Sequence, residues 1–182
     1  MSTSLQLLAP RPWASRKNPS IYTLETAKHI QRISLDLMAL ASSRQWTHPL
    51  FQKYISPSYH AEFDHAGGVP LHTWQAYVEH HDRLAETYPE YRFEALDSVS
   101  DVYEKNGTGS VYLLLRVTGQ PSSVVRESII VHYWERRGEE GEGGDGKCDE
   151  GVKYVEEKGE EEGMDRWICV GQKVVRGMLW NA

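Results

Sequence analysis

Asn106-Gly107 lies between two long runs of strand-forming residues, and this dipeptide constrains the fold more than any other feature of the chain. Glycine accepts positive φ at no steric cost and asparagine tolerates it, so the pair favours a tight reversal between antiparallel neighbours. One run, Tyr91 to Glu104, leads into it, and another, Gly109 to Thr118, leads out. The prediction is a β-hairpin, so Asn106-Gly107-Thr108 reads as a turn rather than a glycosylation sequon. Two further segments, Ser122 to Arg136 and Arg166 to Gly177, are rich in Val, Ile, Tyr and Trp and read as long strands.

The first half of the chain supplies helices to cover that sheet. Apolar residues recur at Ile30, Ile33, Leu37 and Ala41, which predicts a helix over Thr23 to Ser43 with capping chemistry from Asn18-Pro19-Ser20. Trp46 to Ile55 reads as a shorter helix closed by Ser56-Pro57. Ser58 to His65 alternates, with Tyr59, Ala61, Phe63 and His65 on one face, and predicts a half-buried strand. Ala66-Gly67-Gly68 breaks it. Pro70 then opens a third helix with Leu71, Trp74, Val78, His81 and Ala85 on one stripe, ending at Tyr88-Pro89. The fold class is α+β. Helices on one face of a strongly curved antiparallel sheet would enclose a cone with an apolar interior, the place for a small ligand.

The formal net charge of −6 is unevenly distributed. Residues 138–165 hold 12 acidic and 3 basic side chains and eight of the fifteen glycines, whereas the remaining 154 residues sum to +3. Such a segment buries too little apolar surface to offset its chain entropy, so it reads as a disordered acidic insertion at a hairpin tip. The expected organisation is a flexible tail over 1–22 and one cone-shaped domain over 23–180 that carries this insertion. A mild charge spread over a folded body is no basic patch, so no nucleic-acid partner is expected. No apolar run approaches the ~20 residues of a bilayer span, and residues 1–20 read as a soluble tail rather than a secretory or mitochondrial leader. Cys148 and Cys169 form no disulfide framework, which fits a reducing, cytoplasmic setting. No membrane partner is expected.

Three stretches carry a family likeness. They are Trp46 through Tyr54-Ile55-Ser56-Pro57 into the strand ending at Phe63, then His132-Tyr133-Trp134, and Trp167-Ile168-Cys169-Val170-Gly171-Gln172-Lys173. With the order of elements, the chain resembles the nuclear-transport-factor-two-like superfamily, in the branch of SnoaL-like polyketide cyclases and fungal scytalone dehydratases. The resemblance implies a cone-shaped α+β barrel, no cofactor, a small-molecule substrate and a homodimer through the convex sheet face. The dehydratase machinery is not carried over. Its tyrosine–aspartate pair falls at Ala41-Ser42, its first-strand tyrosine at Phe63, and one of its histidines near Gly119.

Strand alternation and the resemblance together nominate the site residues. Arg126, Ser128, Ile130 and His132 are expected inward on one strand, Gln172 and Val174 on the last, with Trp74, Val78 and His81 covering from the third helix. Val111, Leu113, Leu115 and Val117 form an apolar wall, and Tyr112, Leu114 and Arg116 face the other way. His65 and His132 are the candidate base and acid, since imidazole titrates near neutrality; either could equally be a structural histidine bonded to backbone. Asp64 adjoins His65, and strand geometry allows it to face solvent instead. Arg126 and Gln172 would stabilise a developing oxyanion. Tyr59, Phe63, Trp74, Tyr77, His81 and Ser128 would shape the substrate. Six histidines between His48 and His81 show no metal-ligand spacing, so no metal is expected.

The expected function is cofactor-independent acid/base chemistry of secondary metabolism, a cyclisation, isomerisation or dehydration of a polyketide- or terpenoid-type molecule. A non-catalytic binding or scaffolding module is the alternative. Epoxide opening is a third reading and would require Asp64, Asp97 and Arg126 to converge.

Overall fold

A computed structural model describes residues 21–64, 69–138 and 166–176. Residues 1–20 of the predicted tail, with the capping residues Asn18-Pro19-Ser20, and nearly all of the acidic insertion lie outside the described residues, whereas 21 and 22 belong to the first helix. The elements run α1 (Ile21–Ser42), α2 (Pro49–Tyr54), β1 (Ile55–Asp64), α3 (Trp74–Thr87), β2 (Arg92–Tyr103), β3 (Thr108–Thr118), β4 (Val125–Arg136) and β5 (Trp167–Arg176). The five strands form one sheet in the order β1-β5-β4-β3-β2. The mixed α+β class is observed.

The hairpin forms where Asn-Gly predicts it. Tyr103 pairs with Thr108, and the turn between them is one 3-10 turn, Glu104–Asn106, closed by Gly107 in the left-handed region at φ 62°. One expectation about the sheet is corrected. It is not wholly antiparallel, because β1 runs parallel to β5, with Phe63 opposite Val174 and Ala61 opposite Gln172. Parallel neighbours need a long crossover, and here the whole stretch from α3 to β4 supplies it. Local alternation contains no information about which distant strand is the partner.

Two irregularities decide which side chains face inward. In β2 the register shifts between Ala95 and Asp97, leaving Leu96 as the extra residue. Phe93 therefore faces the helices, but beyond the bulge the phase inverts, and Val99 is 62% exposed while Val102 is buried. In β5 the register shifts opposite Tyr133 and Trp134, so Trp167 and Cys169 face inward and yet so do Gln172 and Val174.

Helix α1 buries Ile30, Ile33, Leu37, Met38 and Ala41 in the core, the stripe its spacing predicts. Fully burying each of the four larger side chains is worth roughly 1.5–3 kcal/mol. Polar pegs fix the helix against β2: Gln31 Nε2 donates to the Ser98 carbonyl at 3.0 Å, and Ser42 Oγ donates to the Phe93 carbonyl at 2.6 Å. Trp134, fully buried in β4, donates its indole N–H to Ser34 Oγ of α1 at 3.1 Å.

The third helix starts later than Pro70. Thr73 is its N-cap, with Oγ1 accepting the Ala76 N–H at 3.1 Å. Pro70 stays outside because Leu71 is engaged in two backbone hydrogen bonds with Ala61, at 2.7 and 2.9 Å, which cover the free edge of β1. The buried residues of α3 are Tyr77 and His81. Val78 and Ala85 of the predicted stripe are only partly buried, since the helix is turned so that Trp74, Tyr77, His81 and Leu84 meet the sheet and core. Trp46 Nε1 donates to Asp82 Oδ1 at 2.8 Å and fixes that rotation.

Candidate functional site

A cavity of about 230 Å³ lies between α3 and the helix-facing side of the sheet. Most of its wall is apolar: Met38 from α1, Phe63 from β1, Leu84 from α3, Phe93 from β2, Leu115 and Val117 from β3, Ile130 from β4 and Val174 from β5. Against these stand His80 and His81 of α3, Tyr77, Tyr91, Gln120, Arg126, Ser128 and Gln172. No aspartate or glutamate is among the described lining residues. An apolar chamber with a few convergent polar groups is the usual form of a small-molecule site.

Each polar group is set by its element. His81 sits on the buried stripe of α3, stacked on Tyr91 at 5.9 Å between ring centroids and tilted over Tyr77 at 4.4 Å. Its Nδ1 lies 3.3 Å from the Tyr91 hydroxyl. Burial, with a smaller contribution from His80, lowers its pKa to about 3, so the ring is neutral at physiological pH. Burial pushes the Tyr91 hydroxyl up to about 12, with the Arg126 guanidinium acting in the opposite sense. A neutral imidazole therefore shares a hydrogen bond with a protonated phenol.

Arg126 projects from β4 on the same face as Ser128 and Ile130, and its Nη2 donates to Gln120 Oε1 at 2.5 Å. Gln120 reaches it because the β3–β4 loop is held tightly against the start of β2. Gly119 has φ +76°, and a Cβ there would come within 2.4 Å of the Glu90 carbonyl oxygen. Only glycine fits.

A second polar line runs deeper. Gln172 lies between Tyr77, whose hydroxyl it lowers in pKa, and His132, which it raises, while the buried His132 Nδ1 has no hydrogen-bond partner among the described residues. Tyr77 is raised, chiefly by burial. Burial lowers His132 to about 4 despite the opposing Gln172 contact.

Arg126, Ser128, Gln172, Phe63, Tyr77 and His81 all border the cavity. His132 does not. It lies behind Gln172, beside a narrow void of about 10 Å³ that it shares with Tyr59, Trp74 and Cys169. Tyr59 and Trp74 pack edge to face at 5.4 Å, and Trp74 stacks on Tyr77 at 5.2 Å, so both support the floor rather than line the chamber. His65 and the Asp64 side chain lie outside the described residues; the Asp64 backbone pairs with Val175. Asp97 accepts the Ser98 N–H at 2.7 Å on the exposed side of β2, so an Asp64–Arg126–Asp97 constellation is not assembled.

The structure adds Tyr91, His80 and Gln120 to the expected lining residues. Tyr91 carried a usable signal, since it is in phase with Phe93 on the inward face. Gln120 had none, because its position depends on a loop closing on a distant strand. Among the described residues no group of three or more His, Cys, Asp or Glu side chains could hold a metal ion. No helix there is long and apolar enough to cross a membrane.

No family model and no curated protein matches the sequence. Solved structures do match the fold. An NTF2-like protein of unknown function from Pseudomonas putida superposes with a TM-score of 0.57 at 11% identity, over 87% of this chain and 96% of that one. The CaMKII hub of S. rosetta gives 0.55 at 12% identity, over 83% of this chain and 96% of the other. A protein with a cystatin-like fold from Caulobacter vibrioides gives 0.52 at 9% identity, over 82% and 89%. The chain therefore has the NTF2-like, cystatin-like fold. At these identities the likeness speaks for architecture alone.

Proposed function

We propose that the protein is a cofactor-independent enzyme that moves a proton beside a carbonyl carbon of a small polyketide- or terpenoid-type molecule, giving isomerisation, cyclisation or dehydration. The observation that carries this reading is a neutral His81 hydrogen-bonded to a protonated Tyr91 inside an apolar cavity that also holds Arg126. In the productive tautomer Nδ1–H donates to the Tyr91 oxygen, which leaves the Nε2 lone pair to take a proton from substrate carbon. The C–H electron pair moves onto the carbonyl oxygen, where the Tyr91 O–H and the Arg126 N–H groups meet the developing charge. The imidazolium then returns its proton to another carbon, or to a departing hydroxyl that leaves as water. Burial keeps the imidazole neutral and the phenol protonated, the protonation states that a base and a hydrogen-bond donor require. His132 is buried beside Gln172, its cross-strand neighbour, and stays out of the cavity.

The resemblance to SnoaL-like cyclases and scytalone dehydratases supports a substrate from fungal-type secondary metabolism. The test is deletion of the gene in its host, identification of the accumulating metabolite, and incubation of that metabolite with pure protein. Turnover by wild type and its loss in His81→Gln support the reading; full turnover by His81→Gln overturns it.

A second reading, an interaction module, draws on the outer sheet face. Val99, Tyr112 and Ile129 are 62, 43 and 44% exposed there, flanked by the Arg116–Glu94 and Arg116–Glu127 ion pairs. Apolar centre and charged rim suit a second copy of the chain, as the family resemblance implies. Light scattering should report a dimer that Ile129→Glu dissociates; a monomeric wild type would exclude it.

A further inference from the structure

We infer that the chamber has a deep subsite for a hydroxyl: the hollow of about 10 Å³ behind Gln172 takes the terminal O–H of an elongated, flat, apolar ligand, seated between Tyr59 and His132. This rests on the chamber being the ligand site proposed above, and it adds the substrate class, a phenol or terminal alcohol. Met38, Tyr77 and Gln172 line both the chamber and the hollow, so these side chains form the partition. Tyr77 is locked between the Trp74 ring at 5.2 Å and the His81 ring at 4.4 Å. Gln172 is anchored in β5 between His132 of β4 and Ala61 of β1. Met38, an unbranched thioether on α1, is the member that can swing aside.

A volume of about 10 Å³ matches one oxygen-sized group. Most of the wall is apolar, but its polar members suit an O–H. His132 lines the hollow and is 3% exposed, and its Nδ1 has no hydrogen-bond partner among the described residues. Burial keeps that ring neutral, so it carries one N–H and one lone pair. The Tyr59 hydroxyl lies within electrostatic reach of Tyr77 and Cys169, which border the same hollow. A hydroxyl is donor and acceptor at once and can serve an imidazole nitrogen and a phenol together. A fluorine or methyl of similar size leaves the buried imidazole unmatched. Tyr91 and Arg126 line the chamber and not the hollow, so the reacting carbonyl and the terminal hydroxyl are recognised by different groups.

The experiment titrates 4-phenylphenol and its isostere 4-fluorobiphenyl into the full chain and reads the quenching of tryptophan fluorescence, to which Trp74 beside the hollow contributes. Wild type should bind the phenol about tenfold more tightly or better, the worth of one buried hydrogen bond. Tyr59→Phe removes one oxygen and should cut that preference to about threefold or less while 4-fluorobiphenyl affinity holds. His132→Phe should do the same; if it fails to fold by circular dichroism, Tyr59→Phe alone decides. Equal binding of the two probes by wild type, binding of neither, or a preference that survives these substitutions overturns the subsite. His81→Gln should keep the preference. A wild type without preference whose turnover still depends on His81 would refute the subsite and leave the proton-transfer reading intact. A phenol-preferring protein that turns over without His81 would do the reverse.

Discussion

The Tyr91 hydroxyl and His81 Nδ1 lie 3.3 Å apart, on residues that are each 8% exposed, so the pair borders the cavity while packed in the core. Tyr91→Phe retains the ring stacked on His81 but removes the hydroxyl. We expect kcat on the metabolite that the gene deletion identifies to fall by about 10²-fold with KM little changed. Stability should drop by about 1 kcal/mol, the usual worth of one hydrogen bond. Steady-state kinetics and a urea titration on the same sample check both.

Acid should unfold the protein through its buried histidines. His81 and His132 have folded-state pKa values lowered from 6.5 to about 3 and about 4, chiefly by burial. The unfolded chain therefore binds more protons than the native one below about pH 6.5, and stability falls as pH falls from there towards pH 4. Above about pH 7 neither histidine contributes. At full slope the two together cost at most about 2.7 kcal/mol per pH unit. Urea midpoints between pH 7 and 5 measure it. His132→Gln should remove about half of the slope, so that the variant gains on wild type as pH falls from 6.5; an unchanged slope refutes the assignment.

Much of this was legible in the sequence because period-two alternation survives long strands. Arg126, Ser128 and Ile130 face the cavity, while Tyr112 and Arg116 face out, as alternation predicts. Alternation gives no warning where the backbone breaks its own rhythm. The bulge at Leu96 turns Val99 outward, and the one near Gly171 lets Cys169 and Gln172 share a face. Within α3, Val78 and Tyr77 are both plausible inward residues, and the choice is made by the Trp46–Asp82 bond, a contact between residues 36 apart. His132 was correctly inward but its depth behind Gln172 is a property of the assembled sheet, which alternation does not encode.

Ser34→Ala should be costly for one atom. The Trp134 indole N–H is buried with Ser34 Oγ as its partner at 3.1 Å. Removing the acceptor strands a donor in the core, at about 1–3 kcal/mol. Chemical denaturation monitored by tryptophan fluorescence measures the loss; Ser34→Thr, which keeps an acceptor, should lose less.

We also propose that the acidic segment is dispensable to the fold. Its two flanks are joined directly: the Arg137 N–H donates to the Arg166 carbonyl at 2.8 Å, next to the pairing of Arg136 with Trp167. Replacing residues 139–165 with a short Gly-Ser turn should shift the melting temperature by only a few degrees, equivalent to about 1 kcal/mol or less. Failure to fold would show that the segment holds the last strand in place.

Helix α3 carries His80 and His81 and also forms one side of the chamber, with Leu84 facing the space opposite β3 and β4. Much of what that helix would pack against is whatever occupies the chamber. Occupancy and helix docking are then thermodynamically linked: a ligand at a hundred times its dissociation constant adds about 2.7 kcal/mol to global stability. The empty protein should consequently open this helix more often than the sheet beneath it, and hydrogen exchange along residues 74–87 becomes a label-free reporter for discovering the natural ligand in an extract.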